Sequence, residues 1–344
     1  MATKDYLSSA DLKAVDYQGL IKEDVMNQIW DISAIPLPFT DMVGSDTTGN
    51  SYTSWTTDKL ADPALGGWVV DGADSNQNDS ATGKRIGNHC GILNKEVQVT
   101  ERAVASDTIG YSNELSYQVM MRQRELKRDV EANALGNQGS QEDNGDATPG
   151  IPAGFASMCT SFPTGSGATA GSFANGSWTG VTAGAGVALT ETMVRDACQA
   201  AWEDGGNPGK LMSVPSVLRG LSEYMFTSSS RIATLTGETN NQGPATAMGS
   251  VNVFLTDFGV TMDFVPNRLQ QTYTDSGSAQ AAAVFVMDPA YVRLCYLKGY
   301  TTQPLAKSGL SDKRLMSVDW TLKCLEPDAH RVLLDIDPTA AVTL

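Results

Sequence analysis

The chain has 344 residues, 39 of them Asp or Glu against 24 Lys or Arg, for a formal net charge of −15; 41% of its residues are hydrophobic and 18% charged. This balance suits a globular chain with a sizeable core, in two or three lobes, and excludes a disordered one. The acidity argues against sequence-independent nucleic-acid binding, which depends on neutralising phosphates, and no stretch approaches the ~18 apolar residues of a membrane span.

Residues 1–44 read as an extended arm, with short helical turns over Ser9–Val15 and Glu23–Trp30. The run Ile35-Pro-Leu-Pro-Phe39 predicts extended backbone there, because proline lacks the N–H and biases its predecessor away from helix. Few apolar residues lie in this arm, so it is expected to rest on another surface. The next region, 45–110, is β-like. Ser51-Tyr-Thr-Ser-Trp-Thr-Thr57 alternates aromatic and small polar residues, the period of a strand. The turn-rich segment Asp71–Gly83 follows, and alternation resumes over Arg85–Cys90 and Lys95–Arg102. Two strands joined by a long polar tip make an extended hairpin, which is not stable on its own and needs a partner surface.

Tyr111–Gly136 reads as one long helix, about 38 Å at 1.5 Å per residue. Its apolar positions, Leu115, Val119, Leu126, Val130 and Leu135, form no single narrow stripe. One face is expected on its own domain and a charged face toward solvent or neighbouring subunits. Gly136 and Asn137 are expected to end it. Residues 138–188 are dominated by Gly, Ser, Ala and Thr, but Phe155, Phe162, Phe173 and Trp178 make them more than a linker: an irregular or β-like lobe. Residues 189–236 are predicted helical. Thr190 caps the first helix, Gly205-Gly-Asn-Pro208 stops it, and Pro215–Phe226 forms a second. Val251–Leu255 and Val260–Phe264 flank the turn Thr256–Gly259 as a strand pair, and Ala281–Met287 reads as a buried strand. Residues 311–335 form two strands around Leu325–Asp328.

Candidate chemistry is sparse. Cys90, Cys159, Cys198, Cys295 and Cys324 are scattered and odd in number, without a CxxC pair, so neither a zinc ribbon nor a redox motif is supported; reduced thiols are expected. The start Met-Ala-Thr-Lys-Asp-Tyr lacks the apolar core of a signal peptide, and a cytoplasmic protein is the expectation. His89 and His330 are the two histidines; the His89-Cys90 pair supplies too few ligands for a metal. No G-x-S-x-G elbow occurs. Glu203-Asp204 and Glu142-Asp143 read as solvated loop acids, and Gly205–Lys210 lacks the order of a phosphate-binding loop. The reading is therefore of a chain that is not an enzyme and needs no cofactor or metal. The densest basic cluster is Arg122, Arg124, Lys127 and Arg128, interleaved with Glu125, Asp129 and Glu131. Intrahelical pairing there is partial, which leaves two readings: a solvated helix face, or salt bridges between subunits.

The order of parts (arm, long hairpin, long helix, mixed lobe, returning strands) resembles the major capsid proteins of tailed bacteriophages. That is an α+β fold, the Johnson or Hong Kong 97-type phage capsid fold, with N-arm, E-loop, P-domain spine helix and A-domain. Local strings are similar to a podovirus-type branch. They are Ser54-Trp-Thr-Thr-Asp-Lys-Leu60, Asp71-Gly-Ala-Asp74, Gly83-Lys-Arg-Ile-Gly-Asn-His-Cys90, Gln123-Arg-Glu-Leu-Lys-Arg-Asp-Val-Glu131, Thr256-Asp-Phe-Gly259, Leu305-Ala-Lys-Ser-Gly309 and Glu326-Pro-Asp-Ala-His330.

The resemblance implies an N-terminal arm at 1–44, an E-loop at 45–92, and the P-domain strand and spine helix at 93–137. It implies a Gly/Ser-rich insertion at 138–188, an A-domain at 189–280 and returning strands at 281–344. It also implies self-assembly into hexamers and pentamers of an icosahedral head around double-stranded DNA, found in the virion and assembled in the host cytoplasm. Intersubunit contacts would involve Trp55, Asp58, Lys84, Arg85, Arg122, Arg124, Lys127 and Arg128. The implied partners are copies of itself, a scaffolding protein, a portal protein and a decoration protein. There is no membrane, and packaged DNA lies near without being gripped. A separate scaffolding protein is expected because no long charged helical N-terminal segment is present. The alternative on the same residues is another virion component, a decoration or tail protein.

Overall fold

In the computed structural model, which describes residues 36–60, 63, 65–66, 68–72, 83–106, 113–162, 166–226, 253–256, 258–307 and 309–340, the long helix runs from Glu114 to Ala134. Asn113 starts it, its side chain accepting the Ser116 N–H at 3.1 Å and so satisfying one of the unpaired donors of the first turn. Twenty-one residues give about 32 Å, shorter than the sequence implies. Leu135 is the C-terminal cap, and Gly136 is not left-handed. Gly136 instead lies where another chain segment passes: a Cβ on Gly154 would sit 2.0 Å from the Gly136 carbonyl oxygen. Leu126, Val130 and Ala134 are buried, and the helix packs on two strands of the sheet beneath it.

The strands are β1 (Gly44–Thr47), β2 (Tyr52–Thr57), β3 (Lys84–His89), β4 (Gly91–Thr100), β5 (Thr160–Phe162), β6 (Phe173–Ala174), β7 (Ser177–Trp178), β8 (Lys210–Ser213), β9 (Val253–Leu255), β10 (Thr261–Pro266), β11 (Tyr273–Thr274), β12 (Gln280–Met287), β13 (Val292–Pro304), β14 (Ser311–Cys324) and β15 (Arg331–Ile336). One sheet has the order β1-β13-β14-β4, with β1 parallel to β13 and the other neighbours antiparallel. The long helix lies on β4 and β14. A larger sheet runs β5-β15-β12-β8-β10-β9. β2 and β3 pair antiparallel, with Trp55 opposite Ile86, as the hairpin expected from their alternation.

Two cores share the larger sheet. Ala283, Phe285 and Met287 of β12 join a core with Phe39, Leu126, Phe155 and Trp320. The alternate residues Ala282, Val284 and Val286 join Val194, Ala197, Leu218 and Leu221 of the helices Glu191–Glu203 and Pro215–Phe226. A strand with both faces covered reads as a continuous apolar run, which is how Ala281–Met287 reads. Thr190 caps the first of those helices by accepting the Met193 N–H at 3.3 Å. Gly205, at φ 91°, ends it in the left-handed geometry that glycine tolerates.

Several expectations change. Ile35–Phe39 was expected to be extended, but a five-residue helix starts at Pro38, where a missing N–H costs nothing. Its Phe39 is fully buried, ring centroid 5.5 Å from that of Phe155. The fully buried Glu131 of the long helix receives both ends of this joint: the Phe39 and Thr40 N–H groups at 2.8 Å each and the Thr40 hydroxyl at 2.5 Å. Asn267 Nδ2 donates to it from the far side, at 2.8 Å. The Gly/Ser-rich stretch is built into the core at its middle, where Ala153, Phe155, Ala156, Met158 and Cys159 are buried. Strand β13 has no counterpart in the sequence reading, because register shifts near Tyr296, Lys298 and Thr301 break its alternation. β8 and the short helix Glu101–Ala105 are also additions. The arm helices over 9–15 and 23–30 and most of the polar tip 71–83 lie outside the described residues.

Glu131→Gln keeps the shape but aims an amide N–H₂ at groups that are themselves donors. It should destabilise the subunit by about 3 kcal/mol, read as a lower denaturant midpoint with an unchanged slope.

Candidate functional site

The hairpin is anchored at its base. Fully buried Asn88 donates to the Leu322 carbonyl at 2.9 Å and accepts the Ala153 N–H at 2.9 Å. Trp178 Nε1 donates to the Gly87 carbonyl at 2.9 Å. His89 packs against Tyr52 with the rings tilted by 56° and their centroids 4.7 Å apart, and burial lowers its pKa against the opposing pull of Glu142. It is a packed histidine, as its sequence context implies.

The candidate contact residues of the hairpin do not all face outward. Trp55 is 8% exposed and belongs to its own subunit's core, with Lys323 Nζ 5.9 Å from its ring centroid. It has little surface left to offer a neighbour. Lys84 and Arg85 are exposed, Arg85 donating to Ser54 Oγ at 2.8 and 3.1 Å. Asp58, also exposed, accepts the Lys59 N–H at 2.9 Å. Beyond β2 stands a group that sequence reading passed over: Leu60, Leu65, Trp68, Val69 and Val70 are all exposed, Trp68 at 96% and Leu65 at 105%. The signal was the apolar content of Leu65-Gly-Gly-Trp-Val-Val70, set against the polar stretch after it.

On the long helix, Arg122 pairs with Glu125 at 2.5 Å and Lys95 of β4 with Asp129 at 2.7 Å. Lys127 Nζ lies 5.7 Å from the Tyr300 ring centroid, so its charge is directed at its own chain. Arg128 is half-buried, with Nε unpartnered. Arg124 is exposed. The helix therefore divides its basic cluster between internal contacts and an outer surface.

Asp204 is not the solvated loop acid its neighbouring glycines suggested. It accepts from Lys59 Nζ at 2.6 Å and from the guanidinium of Arg331, which is 4% exposed. The same guanidinium donates to the Ala200, Asp328 and His330 carbonyls at 3.0, 2.6 and 2.9 Å. The Lys59 hydrogen bond, then the Arg331 bond and charge, hold the Asp204 carboxyl below its ordinary value against the effect of burial.

The five cysteines are free and buried; burial pushes Cys90 and Cys295 up to about 11 and Cys198 to about 12 and also raises Cys159, which suppresses the nucleophilic thiolate at these four. Burial opposes the thiolate of Cys324 too, but the Cys159 hydrogen bond and His330 lower its pKa. Fully buried His330 accepts the Asp288 N–H on Nδ1 at 3.1 Å. Among the described residues no cluster of three or more His, Cys, Asp or Glu could hold a metal, and no helix is long and apolar enough to cross a membrane. What the arrangement offers is surface for association.

The fold is that of the Hong Kong 97-type phage capsids. The capsid of a native GTA particle superposes with a TM-score of 0.59 at 12% identity, over 96% of this chain and 100% of that one. The capsid of Cyanophage P-SCSP1u gives 0.57 at 14% identity, over 97% and 100%. Identities this low speak for fold alone. Residues 7–337 match the family described as SU10 major capsid protein, and the chain belongs to that family. The major capsid protein of Escherichia phage Phieco32 is 30% identical over 112 residues, which is 33% of this chain and 32% of that relative, so the matched stretch spans about a third of it. The protein is thus a structural component of a phage head shell rather than an enzyme, which decides against the decoration or tail alternative.

Asp204→Asn should lower stability at neutral pH by about 1–3 kcal/mol, a buried-pair loss discounted for the partial exposure of Asp204. Because the folded pKa lies below the ordinary 3.8, this contribution is complete above that value and disappears as the pH falls through the folded one. Melts of wild type and variant should therefore converge in acid; a gap that stays constant to low pH would show that the carboxylate charge is not its source.

Proposed function

We propose that copies of this chain assemble into hexamers and pentamers that close an icosahedral head around double-stranded DNA, each subunit laying its β2–β3 hairpin and the segment beyond it on a neighbour. The observation that carries this reading is the exposed apolar group Leu60, Leu65, Trp68, Val69 and Val70 at the hairpin's outer end. Large apolar side chains exposed in this number cost free energy in water until something covers them. Covering one Trp removes about 150–250 Å² from water, or about 4–6 kcal/mol before the ordering cost of association. Contacts of this size, repeated around a closed lattice of heterologous interfaces, suffice for a stable shell.

Residues 45–92 then act as the E-loop, 93–137 as the P-domain strand and spine helix, and 189–280 as the A-domain. β1 roots the E-loop in the four-stranded sheet. The outward basic side chains, Lys84, Arg85 and Arg124, supply register through charge rather than bulk affinity. The net charge of −15 keeps an inner wall from trapping DNA. Assembly takes place in the host cytoplasm with a separate scaffolding protein, a portal protein at one vertex and a decoration protein outside, in a phage of the podovirus-type branch.

Trp68→Ala and, separately, Arg124→Glu should yield subunits that melt like wild type but form few or no shells, scored by electron microscopy and light scattering. Normal shells of unchanged thermal stability from both variants would remove the hairpin and the helix face from the assembly surface.

A further inference from the structure

Between the long helix and residues 268–272 lies a cleft of about 570 Å³. Its charged lining is Lys95, Arg128 and Arg268 against Glu125 and Asp129, three cations and two carboxylates for a net charge of +1. Both carboxylates are already answered, Glu125 by Arg122 at 2.5 Å and Asp129 by Lys95 at 2.7 Å. Arg128 and Arg268 have no ion pair or hydrogen bond with any described residue, and Arg128 Nε is buried without a partner. Gln270 lines the same cleft at 6% exposure. Its Nε2 donates to the Ala283 carbonyl at 2.6 Å, but its Oε1 is buried with no donor. The cleft thus holds two buried polar atoms without partners, Arg128 Nε and Gln270 Oε1, beside the exposed guanidinium of Arg268. A buried polar atom in that condition is destabilising, and native structures carry few of them.

We propose that this cleft is a carboxylate-binding site that receives an acidic peptide segment from a second copy of this chain. The two guanidinium groups present planar forks that match a carboxylate bidentately. The peptide carrying that carboxylate brings an N–H for Gln270 Oε1, so one short segment answers both buried orphan atoms and engages Arg268 as well. The net charge of +1 suits a monoanionic side chain, whereas the flanking Glu125 and Asp129 oppose a dianion such as phosphate. Acids are abundant on the chain, 39 against 24 bases. Exposed Glu142, Asp143 and Asp146, three within five residues, make no ion pair with a Lys or Arg among the described residues. In a shell, copies are held side by side, which turns a modest site into an effectively occupied one. The inference rests on the shell-assembly reading and adds a specific charge contact to it.

Two measurements test it. Shells are assembled from a mixture of isotopically heavy and light Arg268→Lys subunits and treated with a zero-length carbodiimide, which joins an amine to a carboxylate it touches. The expected product links position 268 to an Asp or Glu of a differently labelled subunit. A link confined to one chain, a link to another protein, or none in well-formed shells overturns the proposal. Because the product is read in shells that have formed, that failure counts against the cleft and not against shell assembly. In parallel, Arg128→Gln with Arg268→Gln should melt like wild type yet raise the protein concentration needed for assembly by about tenfold or more, the loss expected for one charged fork. An unchanged threshold with folded subunits overturns the site even if Arg268→Lys fails to assemble.

Discussion

A carboxylate with no access to water organises this subunit. Glu131 is fully buried in the last turn of a helix and survives there because four donors converge on it. Those donors come from two places far apart in the chain, the short helix at 39–40 and Asn267 just after β10, and they meet on a third, the long helix. A carboxyl group stripped of water demands such partners, and the demand makes their placement cooperative. Asn267 passes the constraint on, its own Oδ1 accepting the Leu269 N–H at 2.8 Å and its N–H donating to the Ser213 carbonyl at 3.0 Å. The segment that follows walls the charged cleft beside the long helix. The same joint directs the chain from Phe39 into β1, which roots the hairpin.

This arrangement suits a shell subunit, which has to keep its shape while its contacts are made and remade. The rigid part is two sheets with two cores, and β12 belongs to both because its alternate side chains enter opposite ones. The reaching part is the hairpin, whose base is held by buried hydrogen bonds from Asn88 and Trp178 and whose outer end carries the exposed apolar group. Lys59, beside that end, is bound to Asp204, and Asp204 to buried Arg331. The reaching element is therefore tied to the larger sheet as well as to the smaller one.

The readable parts of the chain were those governed by local rules. The period-2 alternation of 51–57 and 85–90 became β2 and β3, the Thr190 cap and Gly205 stop bounded a helix, and the apolar run 281–287 became a doubly buried strand. The unreadable parts were those where long-range pairing overrides local pattern. β13 hides because its bulges scramble the alternation, and Phe39 because its prolines suggest extended chain while a distant glutamate caps the short helix they begin. In the candidate surface, the charge cluster on the long helix was visible, but its division was not: Lys127 turns to Tyr300 and Arg128 into a cleft, while Trp55, the most conspicuous aromatic of the hairpin, is core.

Composition and order of elements alone determined a globular, acidic α+β chain without a recognisable catalytic or metal motif, built as arm, hairpin, helix and returning strands. Those properties follow from residue type and spacing, which are one-dimensional. Which charges are spent inside the subunit and which remain for a neighbour was decided only by tertiary structure. An ion pair between Lys95 and Asp129, or Asp204 and Arg331, depends on distances of a few ångströms between residues 34 and 127 positions apart, and electrostatic energy follows that spatial distance and the local exclusion of water, not separation along the chain.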